Sequence, residues 1–168
     1  MRTLRGFIAI LTITLAASFV SSAQTVLTSV DGSRVDLDAK NGKVVVLAIG
    51  AAWLPLSNKQ VEFTNALAKR YAGRDVVIYF VATDSTDPRS KNYASAETIA
   101  KFATEKKLAV PILRDSDGTV TVRKYKIEQV PSFVILDKAR GAVVEEFGGL
   151  DPKFDLTGPI SRAIDKLL

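Results

Sequence analysis

Residues 44–60, VVVLAIGAAWLPLSNKQ, contain the strand-to-helix transition that decides the fold. Val44 to Ile49 form an unbroken apolar run of strand length. Such runs are typical of strands buried on both faces of a parallel sheet, because strands with one solvated face alternate apolar and polar residues. The polar segment Ser57 to Gln60 comes next, and apolar residues then recur at helical spacing. We expect a central buried strand that is followed closely by a helix.

The segments on either side extend this unit into one α/β domain. Residues 26–38, VLTSVDGSRVDLD, predict a β-hairpin with Asp31-Gly32 as its turn, and Asn41-Gly42 predicts the next turn. Helices are predicted from Ser57 to Tyr71, after the capping residue Ser95, and from Gly158-Pro159 onward. Further strands are predicted at residues 76–81, 110–113, 132–136 and 142–147.

This order of elements predicts a central mixed β-sheet with helices on both faces and an N-terminal β-hairpin. A right-handed parallel βαβ unit would combine with antiparallel strands in the same sheet. The loop after the second buried strand, residues 82–93, carries Asp84 and Asp87. These carboxylates could bind a cation or a partner, but we interpret the loop as a solvated connection.

The first 23 residues have the composition of an export signal. Arg2 and Arg5 precede an uncharged apolar run at residues 7–20, and Ser21-Ser22-Ala23 supplies the small residues that a signal peptidase reads. We predict that residues 1–23 are a signal peptide, and that residues 24–168 form one domain in the periplasm or outside the cell. An uncleaved membrane anchor is the alternative. The apolar run is short for a span of roughly 20 residues, so we expect no stable membrane insertion after cleavage.

Composition excludes several classes of chemistry. The chain has no cysteine and no histidine, which removes thiol, disulfide and histidine-dependent catalysis and the usual zinc ligands. We predict no metal site and no cofactor. The formal charge of +5 falls to +3 when the two arginines of the signal segment are subtracted, and the remaining basic residues are scattered among acids. A nucleic-acid partner is therefore not expected.

Four segments together carry a family resemblance: residues 31–53, Trp53-Leu54-Pro55-Leu56-Ser57, Val130-Pro131 before SFVILD, and Gly148-Gly149-Leu150. In order and spacing the chain resembles the thioredoxin-like superfamily, in its TlpA-like and redoxin (AhpC/TSA) branch. The resemblance implies a thioredoxin-like fold over nearly all of residues 24–168. Family members typically read Trp-Cys-Pro-x-Cys, so both cysteine positions are replaced here, by Leu54 and Ser57. No catalytic residue is assigned to this degenerate site.

Ser57 has two interpretations. As a nucleophile it would need a base, and a lysine such as Lys59 is conceivable, although adjacency in sequence supplies no geometry. As a helix cap it would begin a capping box, Ser57-Asn58-Lys59-Gln60, in which the Gln60 side chain returns to the Ser57 amide. A competing register makes Pro55 the first helical residue and places the cap on Leu54. The sequence leaves these registers open.

The resemblance also implies a peptide-binding groove. Val130-Pro131 matches the cis-proline element of the family, although a proline at the start of a strand is the simpler alternative. In the family, the backbone beside this proline pairs with an extended substrate, which requires no sulfur. We predict a protein or extended-peptide partner. The residues expected to line the groove are Trp53, Leu54, Pro55, Leu56, Val130 and Pro131.

Three functions compete at this point. The first is a redox-inactive domain that binds an extended peptide or protein in the groove. The second is the thiol-disulfide oxidoreductase or antioxidant activity that the resemblance implies, which would need chemistry that this chain does not contain. The third is a structural subunit of an envelope assembly. The alternative to a binding groove is that Leu54 and Leu56 fold inward and close a dead site, which leaves an inert domain.

Overall fold

The structure is a computed structural model that describes residues 24–38, 42–137, 139 and 141–168. The predicted signal peptide, its cleavage after Ala23 and the turn residue Asn41 lie outside the described residues. The part of the chain that the structure describes contains no helix long and apolar enough to cross a membrane.

The N-terminal hairpin forms as predicted. Strands β1 (Val26–Ser29) and β2 (Arg34–Asp36) pair in antiparallel register. Their turn is closed by the Asp31 carboxylate, which accepts the Ser33 N–H at 2.9 Å. Gly32 has a φ of 87°, a left-handed conformation that favours glycine and that explains the Asp-Gly sequence at this point.

Five further strands complete a single mixed sheet: β3 (Val44–Gly50), β4 (Val76–Ala82), β5 (Ile112–Arg114), β6 (Ser132–Leu136) and β7 (Val143–Gly148). The strand order is β2-β1-β5-β4-β3-β6-β7. β3, β4 and β5 are mutually parallel, whereas the remaining neighbours pair antiparallel. Strand β3 lies between β4 and β6, and all its residues are buried, which confirms its predicted central position.

Within the described ranges, four α-helices connect or follow the strands: α1 (Ser57–Arg70), α2 (Ala96–Glu105), α3 (Thr121–Lys124) and α4 (Thr157–Asp165). Ser95 caps α2 as predicted. The predicted start of α4 at Gly158-Pro159 is slightly late, because the Asp155 carboxylate accepts the N–H of Thr157 at 2.8 Å and starts the helix there. Pro159 is therefore the third helical residue, a position whose N–H has no partner within the helix.

Two apolar cores lie on opposite faces of the sheet. Strand β3 contributes alternate residues to them: Val44, Val46 and Ala48 to one core, and Val45, Leu47 and Ile49 to the other. The first core packs against α1, α2 and α4. The second packs against the N-terminal hairpin and the short helix α3. Because both faces are covered, β3 has no solvated side, which accounts for its unbroken apolar sequence.

Candidate functional site

The site is built where β3 leaves the sheet and α1 begins. Residues 51–56 connect the two elements. The Ser57 N–H donates to the Leu54 carbonyl at 3.1 Å, and the Gln60 N–H donates to the Leu56 carbonyl at 3.0 Å. The backbone therefore already turns in helical fashion at Pro55-Leu56. Neither of the two registers that the sequence left open is found: α1 begins at Ser57 and the residue that precedes it is Leu56, so Pro55 is not the first helical residue and Leu54 is not the cap.

The predicted capping box is wrong. The residue that precedes α1 is Leu56, which has right-handed helical angles and makes no side-chain cap. Ser57 is only 1% exposed, and its hydroxyl donates to the carbonyl of Ala51. A capping serine must instead sit in an extended conformation with its oxygen free to accept from the helix.

Gln60 has a different role from the one that the capping box assigned to it. Its side-chain amide nitrogen donates to the carbonyl of Ile49 at 3.1 Å and to the carbonyl of Ser132 at 2.9 Å. Gln60 thus joins α1 to the ends of strands β3 and β6. Gly50 makes room for it, since a Cβ atom at that position would lie 2.2 Å from Gln60 Oε1.

The geometry does not supply a base for Ser57. Lys59 Nζ lies 2.7 Å from Glu62 Oε2 and 5.2 Å from the centre of the Phe63 ring. The Ser57 hydroxyl is buried and directed at a backbone carbonyl. A serine nucleophile needs a base within hydrogen-bond reach, so this arrangement does not support acyl transfer by Ser57.

Asp84 binds the connection between β3 and α1 at Ala52. The interpretation of Asp84 as a solvated loop residue is wrong. The residue is 1% exposed, and its carboxylate oxygens accept the Ala52 N–H at 3.1 and 3.0 Å. Burial raises the pKa of Asp84 above the ordinary value of an aspartate, although the Ala52 N–H and the Arg114 guanidinium act in the opposite direction. Asp87 is exposed and pairs with Arg89, as a solvated loop would allow.

The residues predicted to line the groove separate into two groups. Trp53 is 53% exposed and lines a cavity of about 270 Å³ together with Val130. Pro55 is exposed, Leu54 and Leu56 are half-buried, and Pro131 is buried; none of these four lines that cavity. Leu56 packs against the core beneath α1. The geometry therefore brings Trp53 and Val130 together in one cavity.

Val130 also presents an unused segment of backbone. The Val130–Pro131 peptide bond is cis. No backbone hydrogen bond joins the N–H or the carbonyl of Val130 to another residue within the described ranges. Strand β6 starts only two residues later, at Ser132. A donor and an acceptor therefore lie side by side at the entrance to the sheet.

Sequence reasoning missed the polar part of this cavity. Asn92, Asp117, Glu128 and Gln129 line it beside Trp53 and Val130. Asp117 belongs to the turn that precedes α3, and Asn92 belongs to the loop that follows β4. Only the proximity of Glu128 and Gln129 to the Val130-Pro131 motif could have indicated them from sequence. Among the residues that the structure describes, no cluster of acidic, cysteine or histidine side chains could hold a metal ion.

Comparison with known proteins agrees with this architecture. The AhpC/TSA family model matches residues 21–146. A thiol-disulfide oxidoreductase ResA from Bacillus anthracis is 27% identical over 137 residues, which are 82% of this chain and 73% of the relative. The exposed lipoprotein thioredoxin of Streptococcus pneumoniae strain TIGR4 superimposes with a TM-score of 0.69 at 25% identity, covering 86% of this chain and 100% of that one.

A second solved structure supports the same fold. A protein from Chlorobium tepidum, described as a thiol:disulfide interchange protein DsbE, superimposes with a TM-score of 0.68 at 22% identity, over 84% of this chain and 93% of that one. The fold is thus thioredoxin-like, with Leu54 and Ser57 in place of the two family cysteines. Since the family model covers more than half of the sequence, the chain belongs to the AhpC/TSA family.

Proposed function

We propose that this protein is an exported thioredoxin-like domain that binds an extended peptide or protein segment beside Val130-Pro131 and does not catalyse thiol-disulfide exchange. One observation carries the proposal. The exposed Trp53 and the backbone of Val130, which has no backbone hydrogen bond to the other described residues, border the same cavity. The Ser57 hydroxyl, in contrast, is buried against Ala51. The cavity that would bind the peptide is open to solvent, and the positions of the two family cysteines hold no available nucleophile.

The physical basis for binding is β-augmentation. An extended peptide can pair its main chain with a free backbone donor and acceptor, while side-chain pockets supply specificity. Val130 offers both backbone groups, and the adjacent cavity offers the pocket. The half-exposed indole of Trp53 adds a rigid apolar wall of the kind that is enriched in binding hot spots.

Export is part of the proposal. Residues 1–23 have the charge and apolar pattern of a signal peptide, and one similar structure is described as an exposed lipoprotein. The present sequence contains no cysteine that could accept a lipid.

Peptide binding is tested by NMR titration of the isotope-labelled protein with a pool of unfolded peptides. Shifts are expected to cluster at Trp53 to Ser57 and at Val130 to Ser132. Trp53→Ala should weaken binding at least about five-fold, which corresponds to the loss of roughly 1 kcal/mol that marks an important interface residue. Phe154→Ala is the matched control, since Phe154 is also an exposed aromatic residue, at 56%.

A well-folded spectrum without shifts at these residues would refute the binding function. Thiol-disulfide oxidoreductase activity remains the second candidate because of the similarity to ResA. It is tested separately by incubating the protein with a dithiol and a disulfide substrate. Turnover above the uncatalysed rate would refute the redox-inactive proposal, whereas no acceleration is expected because the chain contains no thiol.

A further inference from the structure

The cavity between Trp53 and Val130 has a distinctive charge. Of the residues that line it, only Asp117 and Glu128 are charged, and both are acidic. Neither forms an ion pair within the described ranges of the chain. Both residues are exposed, and the Asp117 carboxylate is held in place by two hydroxyl donors, Ser85 at 3.1 Å and Ser116 at 2.9 Å.

The rest of the lining is suited to an aliphatic chain. Trp53, Val122, Ile127 and Val130 supply apolar surface in the same cavity. At about 270 Å³ the cavity is smaller than the roughly 300–1,000 Å³ that a drug-sized ligand requires. It therefore fits a single side chain better than a separate small molecule.

We propose that this cavity binds a lysine or arginine side chain of the extended peptide, with Asp117 and Glu128 selecting its charge. The inference rests on the proposed peptide-binding function and adds the class of peptide that is bound. Lysine and arginine combine an apolar stem with a cationic head, so the stem can lie along the apolar walls while the head reaches the carboxylates. Trp53 strengthens the selection because an indole face attracts cations more than other aromatic rings do.

A neighbouring cavity shows that this charge is local. A second cavity, of about 400 Å³, is also lined by Trp53, but it carries Lys101 and Lys106 together with Asp84 and Glu105. Its basic residues would oppose a cationic side chain. The two cavities that share Trp53 therefore differ in their preference, and only the cavity beside Val130 is acidic without a basic residue.

The test uses three synthetic peptides of equal length that differ only at the central position, which is lysine, glutamine or glutamate. Dissociation constants are measured by isothermal titration calorimetry, and NMR shifts at Val130 locate the binding. The lysine peptide is expected to bind at least about five-fold more tightly than the glutamine peptide, and the glutamate peptide more weakly than either. Added salt should reduce the preference, since exposed charges are screened over roughly 10 Å at 0.1 M.

A double variant, Asp117→Asn with Glu128→Gln, isolates the selecting charges. Asparagine suits the backbone at Asp117, whose φ is 57°. In the double variant, the ratio of the affinities for the lysine and glutamine peptides should fall to about one. Glu145→Gln, an exposed acid on β7, is the control and should retain the preference.

The outcomes distinguish a failure of the proposed charge selection from a failure of the proposed peptide binding. Equal affinity for all three peptides, with shifts still at Val130, would overturn the charge selection and leave peptide binding intact. A lysine preference that survives in the double variant would also overturn it. If none of the three peptides shifts the Val130 signal, both proposals are overturned together.

Discussion

The starts of helices α1 and α2 look alike in sequence and are held in opposite ways. Each has a serine followed by polar or small residues: Ser57-Asn58-Lys59-Gln60 in α1 and Ser95-Ala96-Glu97-Thr98 at α2. Ser95 is extended, at φ −67° and ψ 163°, and its oxygen accepts the Thr98 N–H at 3.1 Å. Ser57 lies inside α1 and donates to a carbonyl that precedes the helix.

This difference separates local from long-range stabilisation. The α2 start is held by atoms three residues apart, so it depends little on the rest of the protein. The α1 start is held by Ser57, by Gln60 on the ends of two strands, and by Asp84 from the end of β4. The geometry beside the candidate site is therefore a property of the assembled sheet.

The largest expected effect comes from comparing two single variants, in which Ser57 or Ser95 is replaced by aspartate. Aspartate caps helices about as well as serine, so Ser95→Asp should change the free energy of unfolding by less than about 0.5 kcal/mol. Ser57→Asp should lower it by about 3 kcal/mol or more at neutral pH, because a buried carboxylate would face the Ala51 carbonyl and could not donate. Urea unfolding followed by circular dichroism measures both. Equal effects would mean that Ser57 is a cap after all.

Removing the long-range contact of Gln60 is expected to have the next largest effect. Gln60→Ala leaves the carbonyls of Ile49 and Ser132 without their side-chain donor, and we expect a loss of about 2–3 kcal/mol in unfolding free energy. Asn58→Ala, at an exposed position two residues earlier, is the control and should cost much less. If the two variants unfold at the same urea concentration, Gln60 does not hold α1 to the sheet.

Removing the local cap of α2 should have a smaller effect. Ser95→Ala should lower the unfolding free energy by about 1 kcal/mol, because the Thr98 N–H loses its acceptor. Ser95→Asn restores an acceptor and should recover most of this loss. Thermal or urea unfolding of the two variants side by side makes the measurement, and failure of asparagine to rescue would argue against capping as the cause.

The smallest expected effect is on the pH dependence of stability. The pKa of Asp84 is raised in the folded state, so the folded protein binds more protons than the unfolded chain at pH values between the two pKa values. The contribution of Asp84 to the free energy of unfolding is then most favourable at low pH and is lost as the pH rises through the raised pKa. Asp84→Asn should remove this decline. The test compares the unfolding free energies of the unmodified protein and this variant between about pH 4 and pH 7. Parallel pH profiles of the two proteins would contradict the assignment of this decline to Asp84.

The same contrast explains what could be predicted from sequence. The burial of β3, the turn at Asp31-Gly32 and the cap at Ser95 follow from short-range patterns, and the structure confirms all three. The partner of Gln60 is Ser132, which is 72 residues away, and the partner of Asp84 is Ala52, which is 32 residues away. No periodicity or local motif encodes such pairs. Local patterns therefore predict a local role for each of these side chains, and tertiary packing overrides it.

The candidate site follows the same rule. Trp53 and Val130 are predictable because they adjoin recognisable motifs, and the structure places them in one cavity. Asp117 and Asn92 reach that cavity from loops that are separate in sequence. The acidity of the pocket is therefore visible only after the chain is folded.

The exposure of Trp53 has an optical consequence. It is the only tryptophan of the chain, so indole fluorescence in this protein originates at the wall of the candidate groove. In the folded protein the indole is already half in water, so unfolding should shift its emission only slightly. A ligand that covers it would exclude that water and move the emission to shorter wavelength. The protein thus carries a built-in fluorophore that reports occupancy of the groove far more strongly than it reports folding.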